Sequence, residues 1–236
     1  MAEDQPVAIV TGGGSGIGRQ TTRLLAEKVW RIAIVGRTES RLAETVSEAG
    51  GTVYALPADI TVEGDVERIV HEVDSKWGRI DALVNNAGKA ETCPVTRVTP
   101  ELFLDLVRIN ALGPMLLVKH VWPLFKRGEG GRVVNVTTMG VFDPFPSLGV
   151  YGAAKAALDS LTRSVINEAK QKKMDVKAWS VAPGAVETDM LRGMFSKDML
   201  PENQTLDPAK VAGIIVECLT GERDDESGGA IKVPSH

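Results

Sequence analysis

Only two cysteines, Cys93 and Cys218, occur in the 236 residues, far apart and outside any C-x-x-C or histidine cluster. Neither a disulfide framework nor a zinc site is expected, and no metal is assigned to the chain. Positive charge is not in excess either: the formal net charge is −4, which argues against nucleic acid or an anionic membrane as the main partner. No apolar stretch approaches the roughly 20 residues that a membrane-spanning helix needs. The opening "MAEDQP" is acidic and runs straight into a short apolar segment, unlike a secretory signal, so a reducing cytoplasm is the expected compartment. Tyrosine is scarce as well: there are two, and aromatic residues make up 5% of the chain.

What is present is ordinary for a globular chain, with 43% hydrophobic and 25% charged residues. The length suits one large domain over 1–236, able to bury a substantial core. Short apolar runs recur at 6–10, 31–35, 52–56, 81–85, 132–136, 177–181 and 229–233. They are continuous rather than alternating, as strands covered on both faces should be. Amphipathic segments lie between them. In "TVEGDVERIVHEVDSKWG" the residues Val62, Val66, Ile69, Val70, Val73 and Trp77 keep helical spacing, and Gly78 can close the helix. "TPELFLDL" starts another helix, with Thr99 as N-cap and Pro100 in the first turn. Repeated strand–helix alternation predicts an α/β fold, Rossmann-like and doubly wound, with a seven-stranded parallel sheet and helices on both faces. The most irregular stretch, "GMFSKDMLPENQTLDP" (193–208), interrupts this pattern, and a substrate flap is expected at about 188–206. "GERDDESGG" (221–229) reads as a solvated loop.

In such a sheet, ligands bind beyond the carboxyl ends of the strands. The first of those ends carries "TGGGSGIG" (11–18), where backbone N–H groups can approach a phosphate and the next helix offers its positive end. It is not a Walker loop, because Arg19-Gln20 follows Gly18, and G-x-G-x-x-G fits no register. Gly12, Gly16 and Gly18 give T-G-x-x-x-G-x-G. "NNAG" (85–88), Asn110 in "RINALG", "YGAAK" (151–155) and "PGAVET" (183–188) then follow in order.

With these five motifs, over nearly its whole length, the chain resembles the compact short-chain dehydrogenases/reductases. The resemblance implies a nicotinamide dinucleotide and hydride transfer between a carbonyl and an alcohol. It implies that Ser15 and Ile17 lie beside the pyrophosphate, with Asp59 and Ile60 at the adenine edge. Asn86, Ala87 and Gly88 would meet the adenosine half of the cofactor, and Pro183, Gly184, Val186 and Thr188 the nicotinamide end. A homodimer or homotetramer is implied too.

Reducing a carbonyl by hydride creates an alkoxide that needs a proton. Tyr151 can donate it, and Lys155, four residues on along the same helical face, favours the charged phenolate. By resemblance, Lys155 also holds the nicotinamide ribose and Asn110 a water in a proton relay. The family usually has serine thirteen residues before the tyrosine; here Thr138 stands there, with Thr137 beside it. Its hydroxyl can still donate to a carbonyl oxygen, although the extra methyl restricts χ1. The catalytic set is therefore Asn110, Thr138, Tyr151 and Lys155.

Strand two ends "IAIVGRTES", with Gly36 where an NAD-selective site would place an acid. Arg37 and Thr38 can bind a 2′-phosphate, so NADP(H) is the preferred cofactor, with NAD(H) left open by the nearby Glu39. The stretches 89–96, 139–148 and 190–195 are candidate pocket walls. Phe142, Phe145, Met190, Leu191 and Met194 suit an apolar carbonyl or alcohol substrate, and could equally be core or oligomer contacts. A 3-oxoacyl-thioester reductase is one alternative; Lys126, Arg127, Lys172 and Lys173 could face an acidic carrier, but read first as solvated helix ends. The ending "IKVPSH" departs from the small glycine-rich ending of such relatives. A non-catalytic dinucleotide sensor or scaffold is the other, but it has no need of Tyr151 and Lys155. A methyltransferase would leave "YGAAK" and "NNAG" unexplained.

Overall fold

The computed structural model describes residues 5–50, 53–128 and 130–235. The acidic start of the chain at 1–4, Thr52 of the expected third strand and the last residue of "IKVPSH" lie outside them. Among the described residues, β1 (Val7–Thr11), β2 (Arg31–Gly36), β3 (Val53–Pro57), β4 (Ala82–Asn85), β5 (Gly130–Val136), β6 (Asp175–Pro183) and β7 (Ala230–Val233) form one sheet. Its order is β3-β2-β1-β4-β5-β6-β7, and every neighbouring pair is parallel. The helices are α1 (Gly16–Glu27), α2 (Glu39–Ala49), α3 (Glu63–Trp77), α4 (Pro100–Val107), α5 (Gly113–Arg127), α6 (Gly149–Gln171), α7 (Asp189–Arg192) and α8 (Pro208–Thr220).

Both faces of the sheet are covered, which is why its strands read as continuous apolar runs. On one face Val66, Ile69 and Val73 of α3, Leu117, Val121 and Phe125 of α5 and Val165 of α6 pack onto Val7, Ile9, Leu83 and Val133. On the other, Leu25 of α1, Leu42 of α2 and Val211, Ile215 and Val216 of α8 pack onto Ala8, Val10, Ile34 and Val134. The strand order reverses between β1 and β4, where α1 and the next crossover leave in opposite directions and a crevice opens.

Local signals act as the residues dictate. Gly78 ends α3 at φ 74 and returns its N–H to Asp74 O at 2.7 Å. Thr99 Oγ1 accepts from Leu102 N at 3.3 Å at the start of α4. Ahead of Gly113-Pro114 the helical ladder widens to a π-turn over Arg108–Leu112, in which Gly113 N–H reaches Arg108 O. Pro114 has no N–H to offer the Asn110 carbonyl, and the Asn110 side chain turns back, Nδ2 donating to Leu106 O at 2.9 Å.

One surface segment differs from expectation. "GERDDESGG" is docked rather than merely solvated: Arg132 holds Asp224 through both guanidinium nitrogens at 2.5 and 3.1 Å. Trp179 Nε1 also donates to Arg223 O at 2.8 Å. The basic residues Lys126 and Arg127 close α5, and Lys172 and Lys173 follow the carboxyl end of α6, beside the starts of β5 and β6. A helix that returns against a parallel strand ends where the next strand begins, so this charge lies across the sheet from the ligand end. Arg127 is paired with Asp74 and Lys172 with Glu168, as solvated helix ends would be.

Candidate active site

The glycine-rich turn is defined by close approaches that exclude side chains. Gly12 sits at φ +66, where an L side chain is strained, and a methyl on Gly18 would lie 2.2 Å from Gly12 O. Ser15 occupies the N-cap position of α1 without spending its side chain on the cap, which leaves the hydroxyl for a ligand. Thr11, which sequence reading passed over, ties this turn to "NNAG". It is fully buried, and its Oγ1 accepts from both Asn86 N and Ala87 N at 3.0 Å. Asn86 Nδ2 donates back to Thr11 O at 2.8 Å.

Beside this turn a cleft is lined by Gly12, Ser15, Arg37, Thr38, Asp59, Ile60, Ala87 and Gly88, all of them sequence-predicted positions. Gly36, the position where an acid was looked for, lines it too, and Gly14, Val35, Arg41, Leu42, Ala58 and Ile109 complete the lining without having been foreseen. Arg41 carried no signal because its place in the cleft depends on where α2 begins. Arg37 is exposed and makes no ion pair or hydrogen bond among the described residues. Asp59 Oδ1 accepts from Thr61 N and Thr61 Oγ1 at 2.9 and 2.8 Å, so the turn before α3 orients its carboxylate. The residues fit a dinucleotide: glycines leave a cradle that any Cβ would fill, a helix start faces it, and an unpartnered guanidinium stands at its rim.

The second half of the site gathers at the end of β5. Lys155 is 2% exposed, and its Nζ donates to Val136 O at 2.7 Å. A methyl on Gly88 would lie 2.7 Å from Asn110 Oδ1 and 3.3 Å from Lys155 Nζ, so "NNAG", Asn110 and Lys155 converge on one point. The first turn of α6 packs on the turn after Thr138, where a methyl on Gly152 would meet Gly140 O at 3.3 Å. Thr138 Oγ1 accepts from Gly140 N at 3.2 Å, which leaves its own proton free to donate outward. Thr137 is buried, with its hydroxyl on Val181 O, and serves the strand.

The expected acidification of Tyr151 is not what this state shows. Burial pushes the phenol up to about 12 and pushes Lys155 down to about 7. Lys155 Nζ is 6.0 Å from the Tyr151 ring centroid, and its hydrogen-bond partner among the described residues is a neutral carbonyl, so desolvation outweighs the pairwise attraction. Asn110 is also refined. Its amide is spent on Lys89 O at 2.8 Å and Leu106 O, and its Oδ1 on Lys89 N at 3.3 Å. A water held by this residue would have to use its main-chain carbonyl, which lacks the amide that Pro114 cannot supply.

At the end of β6, Pro183 and Val186 are buried, and Gly184 N–H pairs with Val233 O at 2.9 Å. Thr188 caps α7, accepting from Leu191 N at 3.3 Å. The stretch read as a flap has internal order. Val186 and Leu206 bridge at its neck, and Arg192 spans it, holding the Glu187 carboxylate and donating to Leu200 O at 2.7 Å. The Arg192 guanidinium keeps Glu187 down at about 2. The three candidate pocket walls meet: Cys93 N–H pairs with Ser147 O at 2.7 Å, and Phe145 stacks edge-on against Phe195 at 5.8 Å.

Comparison with known proteins bears on the family and the fold. An uncharacterized oxidoreductase of Staphylococcus epidermidis is 30% identical over 216 residues, covering 92% of this chain and 91% of that protein. The structure of a 3-ketoacyl-(acyl-carrier-protein) reductase from Brucella melitensis, complexed with NADH, superposes with a TM-score of 0.90 at 29% identity, covering 98% of this chain and 97% of the other. An actinorhodin polyketide ketoreductase with NADPH reaches 0.91 at 25% identity, covering 99% and 97%. The short chain dehydrogenase profile matches residues 6–198, which take in every strand from β1 to β6 and both halves of the cleft. On that match, the chain belongs to the short chain dehydrogenase family of oxidoreductases.

Proposed function

We propose that this oxidoreductase transfers hydride between NADP(H) and a carbonyl or secondary alcohol, with Tyr151 giving and taking the proton. The observation that carries the reading is Lys155. Among the described residues buried Lys155 has a backbone carbonyl but no carboxylate partner, a costly placement that a site holding ribose hydroxyls and moving a proton would account for.

When bound, the nicotinamide would supply or accept the hydride. Tyr151, its pKa raised to about 12, holds its proton firmly at neutral pH and is poised as a donor to a developing alkoxide. The free proton of Thr138 is available to the same oxygen. Lys155, near 7, can change its own charge at neutral pH and pass a proton towards the Asn110 carbonyl. Phe145, Phe195 and Met194 favour an apolar substrate beyond the nicotinamide end. The Brucella neighbour is described as a 3-ketoacyl-(acyl-carrier-protein) reductase, so 3-oxoacyl thioesters belong in the first substrate panel. The basic helix ends across the sheet do not speak for a carrier protein.

A homo-oligomer is part of the proposal, supported by Phe103, Leu104, Leu112 and Met115, which are 39–52% exposed along α4 and α5. Light scattering that returns an active monomer would refute that part. The central test follows ketones, 3-oxoacyl thioesters and alcohols at the nicotinamide absorbance with both cofactors. Reduction of at least one ketone by NADPH is expected; a chain that binds the dinucleotide and turns over nothing would be a sensor.

A further inference from the structure

Arg41 lines the same cleft as Arg37 and Thr38, one helical turn beyond Arg37. Its Nη1 lies 3.1 Å from Oδ2 of Asp189, the first residue of α7. The glycine turn leans on both sides of this contact. A methyl on Gly14 would lie 3.1 Å from Arg41 Cβ, and one on Gly16 would lie 3.0 Å from Cγ2 of Thr188, the residue before Asp189. Two segments far apart in sequence, the start of α2 and the loop after β6, thus meet over the phosphate-facing turn through one ion pair.

Both partners reach solvent, with side-chain exposures of 50% for Arg41 and 76% for Asp189. An exposed pair of this kind shifts an equilibrium by at most about fivefold. A phosphate dianion accepts paired, charge-assisted hydrogen bonds from a guanidinium and competes well against a screened carboxylate. Resting on the reading that the cleft takes NADP(H), we propose that Arg41 is a second guanidinium for the 2′-phosphate, held by Asp189 until that phosphate arrives. Binding then exchanges the Arg41–Asp189 pair for an Arg41–phosphate pair and releases the first turn of the loop over the substrate end. The two dinucleotides would differ in what they do to the flap as well as in how tightly they bind.

The test titrates NADPH, NADH, 2′,5′-ADP and 5′-AMP against the parent, Arg41→Ala, Asp189→Asn and the double variant. Asp189→Asn should tighten NADPH and 2′,5′-ADP by about two- to fivefold and leave NADH and 5′-AMP unchanged. Arg41→Ala should weaken the 2′-phosphorylated ligands about tenfold, and Asp189→Asn should then add nothing. Amide exchange at 188–193 should be faster with NADPH than with NADH in the parent, and equal in Arg41→Ala. A gain in Asp189→Asn that persists without Arg41 would be plain charge repulsion and overturns the latch. Equal losses of NADH and NADPH in Arg41→Ala would put Arg41 on the shared diphosphate and overturn it too. A parent indifferent to the 2′-phosphate, with a preference appearing in Asp189→Asn through Arg41, keeps the latch and removes the NADP(H) reading. A parental preference that neither variant alters keeps that reading and removes the latch.

Discussion

Along the β1–β2 half of the cleft, a methyl group on Gly18 would lie 2.2 Å from a backbone oxygen, so recognition there depends on side chains being absent. Along the β5–β6 half, the side chains themselves make the site, and Tyr151 and Lys155 have their acidities set by burial. The first half fails by overfilling and the second by a missing atom. Substitutions in the two halves should therefore separate dinucleotide binding from turnover.

The largest expected effect is on turnover. Tyr151→Phe should lower it by roughly 10² to 10⁴ while the cofactor dissociation constant stays within about twofold, a positioned acid being worth that much. Near-normal turnover in that variant would remove Tyr151 from the chemistry.

Next comes the pH dependence of stability without ligand. Unfolded Lys155 keeps its proton to about 10.5, whereas the folded side chain gives it up near 7. Between these values the unfolded state binds more protons, so stability rises with pH, by a few kcal/mol for a shift of this size. Tyr151 acts oppositely above 10, because the unfolded phenol ionises there and the folded one only near 12, so stability falls again. Urea midpoints at pH 7, 8.5 and 10 should show the rise, and Lys155→Met should abolish it; an unchanged rise would assign it to other groups.

Gly18→Ala should cost about 3 kcal/mol, through strain between backbone segments that cannot relax as a flexible side chain would. Calorimetry and a dinucleotide titration should show both a lower melting temperature and weaker binding of NADH and NADPH alike. Arg37→Ala tests the same half at its rim. It should weaken NADPH by about ten- to a hundredfold and spare NADH, as loss of a hydrogen bond to a charged group implies. A parent that binds the two equally would sink the cofactor preference.

The smallest effect is expected at Thr138. Replacing it by alanine should reduce turnover about tenfold with little change in cofactor affinity, and Thr138→Ser should preserve activity. Equal rates in Thr138→Ala and the parent would confine this hydroxyl to its bond with Gly140 N.

How legible each half was follows from how it is built. The glycine turn could be read because its spacing is local: Gly12, Gly16 and Gly18 lie within one turn, although the groups they make room for include the distant Asn86 and Thr188. Gly78 and Thr99 were readable for the same reason. Thr11 could not be read, since its importance lies in the amides of Asn86 and Ala87, brought to it only when β1 pairs with β4. The loop at 188–206 looked structureless because its order comes from Arg192 reaching Glu187 and Leu200, contacts with no periodicity. "GERDDESGG" misled in the same way, as its charges are answered by Arg132, far away in sequence.

What the amino-acid order settled alone was the strand–helix alternation, and with it a parallel sheet and the strand ends that carry "TGGGSGIG", "NNAG" and "YGAAK". Hydrophobic periodicity and turn chemistry are nearest-neighbour properties, so they survive in one dimension. Tertiary structure decided the sign of the Tyr151 shift, the commitment of the Asn110 amide and the meeting of Arg41 with Asp189. Each depends on how completely water is removed and on which distant groups replace it, and desolvation is a property of the packed molecule, not of its sequence neighbours.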